Sequence, residues 1–340
     1  MKPFVTDLAA LILLVGALHG GEVEKLKATQ VINTGRENSV TKPAVITGLA
    51  MQPGGKLFAS AGDDHHVRLW RTSDGRPLET LLGHRDWVRA VVFSPDGTML
   101  ASAGDDRRIM LWDVAAAKPL RTIEVGRSIY SLDWSHTGDM IVAAGFDCKV
   151  RIYNASSGKL ITELDGPCGD LRSVTFSADS SRVAAAGRNA QVRAWLVKTG
   201  SMSFELAAGV ERIRALAYSP DGDHLVASGD GRTVDVWDAA RGLKVSSLTC
   251  RSAKVLTVSF CGPNLLATGG SDNLIRVWDT RSSTELYQLT GHTGTVAALA
   301  CDVGTRTIVS GSYDTTIRIW KLAEDDEKVA QPLRDEAPLR

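Results

Sequence analysis

The stretch AGDDHHVRLW, residues 61–70, places two carboxylates, Asp63 and Asp64, directly before two imidazoles, His65 and His66. Carboxylate oxygen and imidazole nitrogen are both ligands for divalent transition metals, and a metal held there would polarise a carbonyl or acidify a bound water. The chemistry on offer is metal-assisted hydrolysis or elimination. Geometry opposes it: along an extended segment adjacent side chains point to opposite faces, so His65 and His66 would diverge rather than converge on one ion. Other catalytic signatures are missing from the sequence: no GxSxG, no phosphate-binding loop, no HExxH, and no GxGxxG between a strand and a helix.

The elements that would have to position these residues are repeated. The aromatic residue ending each VRLW-like segment falls at Trp70, Trp112, Tyr153, Trp195, Trp237, Trp278 and Trp320, at intervals of 42, 41, 42, 42, 41 and 42 residues. Each unit carries an apolar segment ending in a turn (VVFSPDGTM), a small-residue segment (LASAG), an Asp-rich turn, an alternating segment (RIMLWD) and a fourth segment (PLRTIEV) leading into the next. Period-two alternation bounded by Gly, Asp, Asn and Pro predicts four short antiparallel strands per unit. A four-stranded unit of about 42 residues is the size of one propeller blade.

With LWD at 111–113, VWD at 236–238 and 277–279, and GH at 83–84 and 291–292, the chain resembles the WD40-repeat family over residues 41–322. The resemblance implies an all-β, seven-bladed β-propeller of four-stranded antiparallel blades. A repeat counted from its Trp starts with the outer strand of the preceding blade, which leaves the last blade short of one strand. KATQVINTGR (27–36) looks like PLETLLGHR (77–85), so an N-terminal strand is expected to close the ring beside Trp320; EKVAQPL (327–333) is the alternative. Closure limits exposed sheet edges. The propeller is thus expected over residues 27–322, and the charged, proline-bearing tail 323–340 is expected to be disordered.

The same resemblance implies a hydrogen-bonded chain of His, Ser or Thr, Asp and Trp within a blade, whose donors and acceptors match. The second blade has the full set, His84, Ser102, Asp106 and Trp112, as does the seventh, His292, Ser310, Asp314 and Trp320. The first keeps Ser60, Asp64 and Trp70, and the sixth Thr268, Asp272 and Trp278, neither with a His. The third (Ala143, Asp147, Tyr153), fourth (Ala185, Asn189, Trp195) and fifth (Ala227, Gly231, Trp237) are expected to rely on packing instead. Asp64 aligns with Asp106, Asp272 and Asp314, six residues before its Trp, so it reads as a turn anchor. His65 and His66 align with Arg107 and Arg108 as a polar pair, and no metal or other cofactor is implied.

Lys plus Arg and Asp plus Glu both number 39, so no net charge draws the chain to nucleic acid. Binding must come from local patches. Family resemblance points to the face carrying the turns before the first and third strands of each blade. There the aligned positions supply Trp87, Arg89, Tyr130, Phe146, Arg172, Arg188, Arg212, Arg214, Lys254 and Tyr313. Arg among exposed aromatics is the composition of interface hot spots, and Arg pairs bidentately with carboxylate or phosphate. Pairing with Asp63, Asp105, Asp170 and Asp230 is the bland alternative. The expected function is a non-catalytic scaffold that binds a partner protein or acidic peptide, with no small-molecule substrate; the alternative is an exported propeller enzyme, a metal-assisted hydrolase or lyase.

The first 21 residues have a basic Lys2, an apolar run from Leu8 to Leu18 and small residues at Ala17, Gly20 and Gly21. That is the layout of a secretory signal cleaved near residues 17–21. The 14 uncharged residues Leu8 to Gly21 make about 21 Å of helix against a hydrocarbon core of about 30 Å. Export to a periplasm or the exterior is expected; the alternatives are a cytoplasmic protein or one touching a membrane through an uncleaved leader. Five cysteines, Cys148, Cys168, Cys250, Cys261 and Cys301, at irregular spacings read as mostly free or buried thiols.

Overall fold

The computed structural model describes residues 23–34, 43–167, 169–210, 212–250 and 254–323. The leader, the tail beyond Ala323 and Cys168 lie outside the described residues. The strands form seven sheets, each holding four consecutive antiparallel positions, and no helix occurs among the described residues. This is the seven-bladed propeller that the repeat spacing implies.

Each blade runs from the central channel outward. In the second blade the inner strand is Val88–Phe93, followed by Met99–Gly104, Arg108–Asp113 and the outer strand Lys118–Glu124. Second strands such as LFASAG, MLASAG and RVAAAG are buried along nearly their whole length. Their Ala, Ser and Gly side chains let neighbouring sheets approach on both faces, which a uniform row of large residues would prevent. Outer strands face solvent and alternate less strictly; Lys118–Glu124 buries only Ile123.

The core is divided among the seams between blades. Seven apolar clusters each join two neighbouring blades, for example Leu81, Trp112 and Val91 between the first and second, and Ile46, Trp70 and Val309 between the seventh and first. Trp112, Trp320 and Phe58 are among the largest fully buried side chains. Each such side chain contributes roughly 1.5–3 kcal/mol by leaving water.

Two N-terminal strands, β1 (Glu24–Leu26) and β2 (Gln30–Asn33), complete the ring. β2 pairs antiparallel with Thr316–Lys321, Gln30 opposite Ile319 and Asn33 opposite Thr316, and fills the outer place of the seventh blade. EKVAQPL is therefore not needed there. β1 is an addition the repeat does not announce: it lies parallel to Thr284–Leu289, the outer strand of the sixth blade, making that sheet five-stranded. The N-terminal segment thus straddles the seam between blades six and seven.

Candidate partner-binding face

Each inner strand begins with a register shift against its neighbour, and the residue at the shift is Thr47, Arg89, Tyr130, Arg172, Arg214, Leu256 or Ala297 in successive blades. A bulge of this kind bends the strand and re-aims one side chain. Here all seven residues line the mouth of the central channel, a cavity of about 400 Å³. In six blades a glycine stands opposite the start of the bulged strand, and in the seventh Ser312 takes that place. A Cβ on Gly104 would stand 1.9 Å from the carbonyl oxygen of Trp87, and one on Gly229 1.7 Å from that of Arg212. At Gly104 and Gly229 a side chain would force the second strand away from the loop that carries the rim residues.

The rim has a continuous stack over blades two to four. The Arg89 guanidinium lies 4.6 Å from the Trp87 ring centroid and 5.7 Å from that of Tyr130. The Arg172 guanidinium lies 4.4 Å from Tyr130 and 4.8 Å from Phe146, while Tyr130 and Phe146 meet edge to face at 5.8 Å. Cation–π contacts at partly exposed sites contribute on the order of 0.5–1 kcal/mol each. Their larger effect is to hold planar groups in one orientation before a ligand arrives.

Every channel-mouth guanidinium also has a carboxylate from its own blade or the loop before it. Arg89 Nη2 is 2.6 Å from Asp105, and Arg172 holds Asp170 with Nε 2.8 Å from one carboxylate oxygen and an Nη2–H hydrogen bond to the other at 3.0 Å. Arg214 does the same to Asp230, at 2.9 and 3.3 Å. The Arg214 hydrogen bond is the main cause holding the Asp230 carboxyl below its ordinary range. Lys254 Nζ approaches the same Asp230 at 3.8 Å, so two cations share one carboxylate. Asp63 is committed elsewhere, accepting the backbone N–H of Val45 at 2.8 Å.

The ten sequence-derived residues therefore divide. Trp87, Arg89, Tyr130, Phe146 and Arg172 form one contiguous cluster; Arg214 and Lys254 meet around Asp230; Tyr313 lines the channel on the seventh blade, 55% exposed. Arg188 and Arg212 are exposed on neighbouring loops.

Comparison with known proteins places this geometry in a family. The family described as WD domain, G-beta repeat matches seven times, over residues 35–71, 75–113, 117–154, 158–195, 205–238, 242–279 and 283–321. The chain belongs to the WD40-repeat family. Individual relatives match over short stretches: the U3 snoRNP-associated protein-like EMB2271 of Arabidopsis thaliana is 41% identical over 70 residues, 21% of this chain and 14% of the relative. Cell division control protein 4 of Saccharomyces cerevisiae is 41% identical over 78 residues, 23% and 10%. Ribosome biogenesis protein YTM1 of Eremothecium gossypii is 39% identical over 67 residues, 20% and 15%. The chain thus spans about a tenth to a seventh of these relatives. WD40 propellers in general bind proteins or peptides.

The WD40 hydrogen-bonded chain is formed in blades two and seven. His84 Nδ1 is 2.8 Å from Asp106 and its Nε2 2.7 Å from Ser102 Oγ, which in turn accepts Trp112 Nε1–H at 2.8 Å. His292, Asp314, Ser310 and Trp320 repeat this at 2.8, 2.8 and 2.9 Å. Where the His is missing, an arginine four residues after the turn Asp replaces it. Arg68 pairs with Asp64 at 2.6 Å, Arg151 with Asp147 at 2.7 Å and Arg276 with Asp272 at 2.7 Å.

Blades three, four and five, expected to rely on packing rather than the family's chain, carry ion pairs beside that packing. In the third blade Arg151 bridges Asp147 to Glu163 at 3.0 Å. In the fourth, Arg193 pairs with Glu205 at 2.6 Å and donates to the Asp165 carbonyl at 3.0 Å. In the fifth the charge is reversed: buried Asp235 accepts from Gly209 N–H, Ser247 Oγ and Lys244 Nζ at 2.7, 2.7 and 2.8 Å.

AGDDHHVRLW is a turn and the start of a third strand. Burial pushes the Asp64 carboxyl up, but the Arg68 hydrogen bond and charge outweigh it and hold the group below its ordinary value. His65 takes φ of 69°, the left-handed position that Arg107, Asn273 and Thr315 occupy in their blades. His66 Nδ1 stands 3.4 Å from Asp64, longer than a good hydrogen bond. Among the described residues no group of three or more His, Cys, Asp or Glu is arranged to hold a metal ion.

The reading of the cysteines as mostly free or buried thiols also needs correction. Cys148 and Cys250 are free, but Cys261 and Cys301 form a disulfide across blades six and seven. An odd cysteine count argues against a complete framework, not against a single bridge.

Proposed function

We propose that this protein is a non-catalytic scaffold that captures an acidic segment of a partner protein on the channel-mouth face, with the stack Trp87–Arg89–Tyr130–Arg172–Phe146 as its anchor. The observation that carries this reading is the stack itself. Its guanidiniums are oriented by aromatic faces and carboxylates before binding, so little side-chain entropy remains to be lost. Trp87 and Phe146 are 41% and 44% exposed, large apolar surfaces beside charge. Sharing of Asp230 between Arg214 and Lys254 leaves local cationic surplus for an incoming carboxylate. Relatives named for division control and ribosome biogenesis are compatible with a scaffold role.

The test is capture from the native compartment, with an acidic synthetic peptide series as a defined probe. Arg172→Ala and Trp87→Ala should each weaken binding roughly 10- to 100-fold, the range of a hot-spot residue, while thermal unfolding stays close to wild type. Undiminished binding in both variants would refute the site.

We further propose that the protein is exported from the cytoplasm. Cleavage near residues 17–21 would leave β1, starting at Glu24, intact, and a disulfide suits an oxidising compartment. N-terminal sequencing of the fractionated native protein decides it; an intact Met1 on the cytoplasmic protein contradicts export.

A further inference from the structure

One seam departs from the repeat at two facing positions. In blades two to five the inner strand ends in an aromatic residue followed by serine: Phe93–Ser94, Trp134–Ser135, Phe176–Ser177 and Tyr218–Ser219. Each serine hydroxyl accepts a backbone N–H five residues on, at 2.9 Å in all four blades. In blade six the serine becomes Cys261, and in blade seven the aromatic becomes Cys301. Together they bring two sulfurs to bonding distance across the seam, with Cα atoms 5.1 Å apart, inside the range disulfides use.

This is also the seam that the N-terminal strands straddle, β1 on blade six and β2 on blade seven. Leu26 and Ala28 pack into the same apolar cluster as Cys261, Cys301, Tyr287 and Trp320. The bridge and the strap therefore share one core. A cleft of about 180 Å³ bordered by Cys261, Tyr287 and Leu322 reaches this corner. Both sulfurs lie 3.9 Å from the Ser259 carbonyl oxygen, which gives each thiol an acceptor when the bridge is open. On reduction the two sulfurs must move apart to non-bonded distance, and the cluster that receives the displacement is the one holding Leu26 and Ala28.

We propose that the Cys261–Cys301 pair is a redox lock on ring closure. Oxidised, it ties blade six to blade seven and holds the N-terminal strap in place; reduced, the blades stay stacked but the strap opens. Formation needs an external disulfide as oxidant. One cysteine thiolate attacks it and expels a thiolate, the second cysteine attacks the mixed disulfide, and the balance is two protein thiols plus one small disulfide giving one protein disulfide plus two small thiols. The proposal rests on the geometry of the seam alone, whatever partner the opposite face binds.

The experiment compares full-length protein, oxidised and reduced with dithiothreitol, with Cys261→Ser, a variant that restores the residue found in blades two to five and so keeps the turn. Hydrogen exchange of the Gln30–Asn33 amides and thermal unfolding are read in all three. The strap amides should lose at least about tenfold protection, and the apparent Tm should fall by on the order of 5 °C, in both the reduced protein and Cys261→Ser. Equal strap exchange in the three samples would overturn the lock. So would alkylation of both Cys261 and Cys301 in protein taken from its native compartment without reductant.

Discussion

A buried hydroxyl can decide the fate of its neighbours. Ser102 Oγ sits between His84 Nε2 and Trp112 Nε1–H, so Ser102→Ala strands two buried polar groups at once. Loss of about 1–3 kcal/mol is expected from urea unfolding, because an unsatisfied buried donor or acceptor costs its full desolvation. The seventh blade adds a pH dependence. Burial holds His292 below its ordinary 6.5 against the opposing pull of Asp314, so the fold favours the neutral ring. Its contribution is complete above pH 6.5 and is lost as pH falls through the lowered folded value. Burial pushes Asp314 up, but hydrogen bonds from Thr316, the Thr293 N–H and His292 outweigh it and hold the carboxyl at about 2, so a second loss develops between pH 3.8 and about 2. Urea midpoints against pH should fall over the first window in wild type and show that fall weakened in His292→Asn. The His, Ser, Asp and Trp positions were legible because seven copies share one register. Arg68, Arg151, Arg193 and Arg276 carried a signal of equal spacing, hidden only by the expectation that the turn Asp must pair with histidine.

At the scale of the strand, the channel mouth is set by a bulge and the glycine facing it. Gly229→Ala would drive a Cβ to 1.7 Å from the Arg212 carbonyl, so either the second strand or the rim loop must move. We expect a destabilisation of about 3 kcal/mol by thermal unfolding, together with weaker binding of the acidic probe, since Arg212 and Arg214 shift with the loop. Unchanged stability would show that the bulge tolerates the methyl. The repeat predicted four strands in each unit, and the likeness of KATQVINTGR to PLETLLGHR pointed to β2 with EKVAQPL as the alternative, but neither announced the bulges. No Pro or positive-φ residue marks Arg89 or Arg172, so nothing in the residue types announces the shift there. β1 was equally hidden, since three residues pairing in parallel carry no alternation to read. Finding the disulfide needed the blades set side by side, which puts Cys261 at the serine position and Cys301 at the neighbouring aromatic position, not a cysteine count.

As a whole, the molecule is a ring whose cores lie between blades, closed by its own N-terminal segment and carrying balanced charge with a local cationic and aromatic rim. Such a ring presents two faces and a circumference, and the circumference is not bare: Leu160 and Ile161 on the outer strand of blade three are 51% and 52% exposed. Face, edge and underside are therefore distinguishable destinations for a partner. Hydrogen exchange on the complex captured from the native compartment separates them directly. The account predicts new protection at Trp87–Arg89, Ser128–Tyr130 and Asp170–Arg172, where the rim stack begins. Protection confined to the outer strands or to the opposite face, with these amides unchanged, would contradict it.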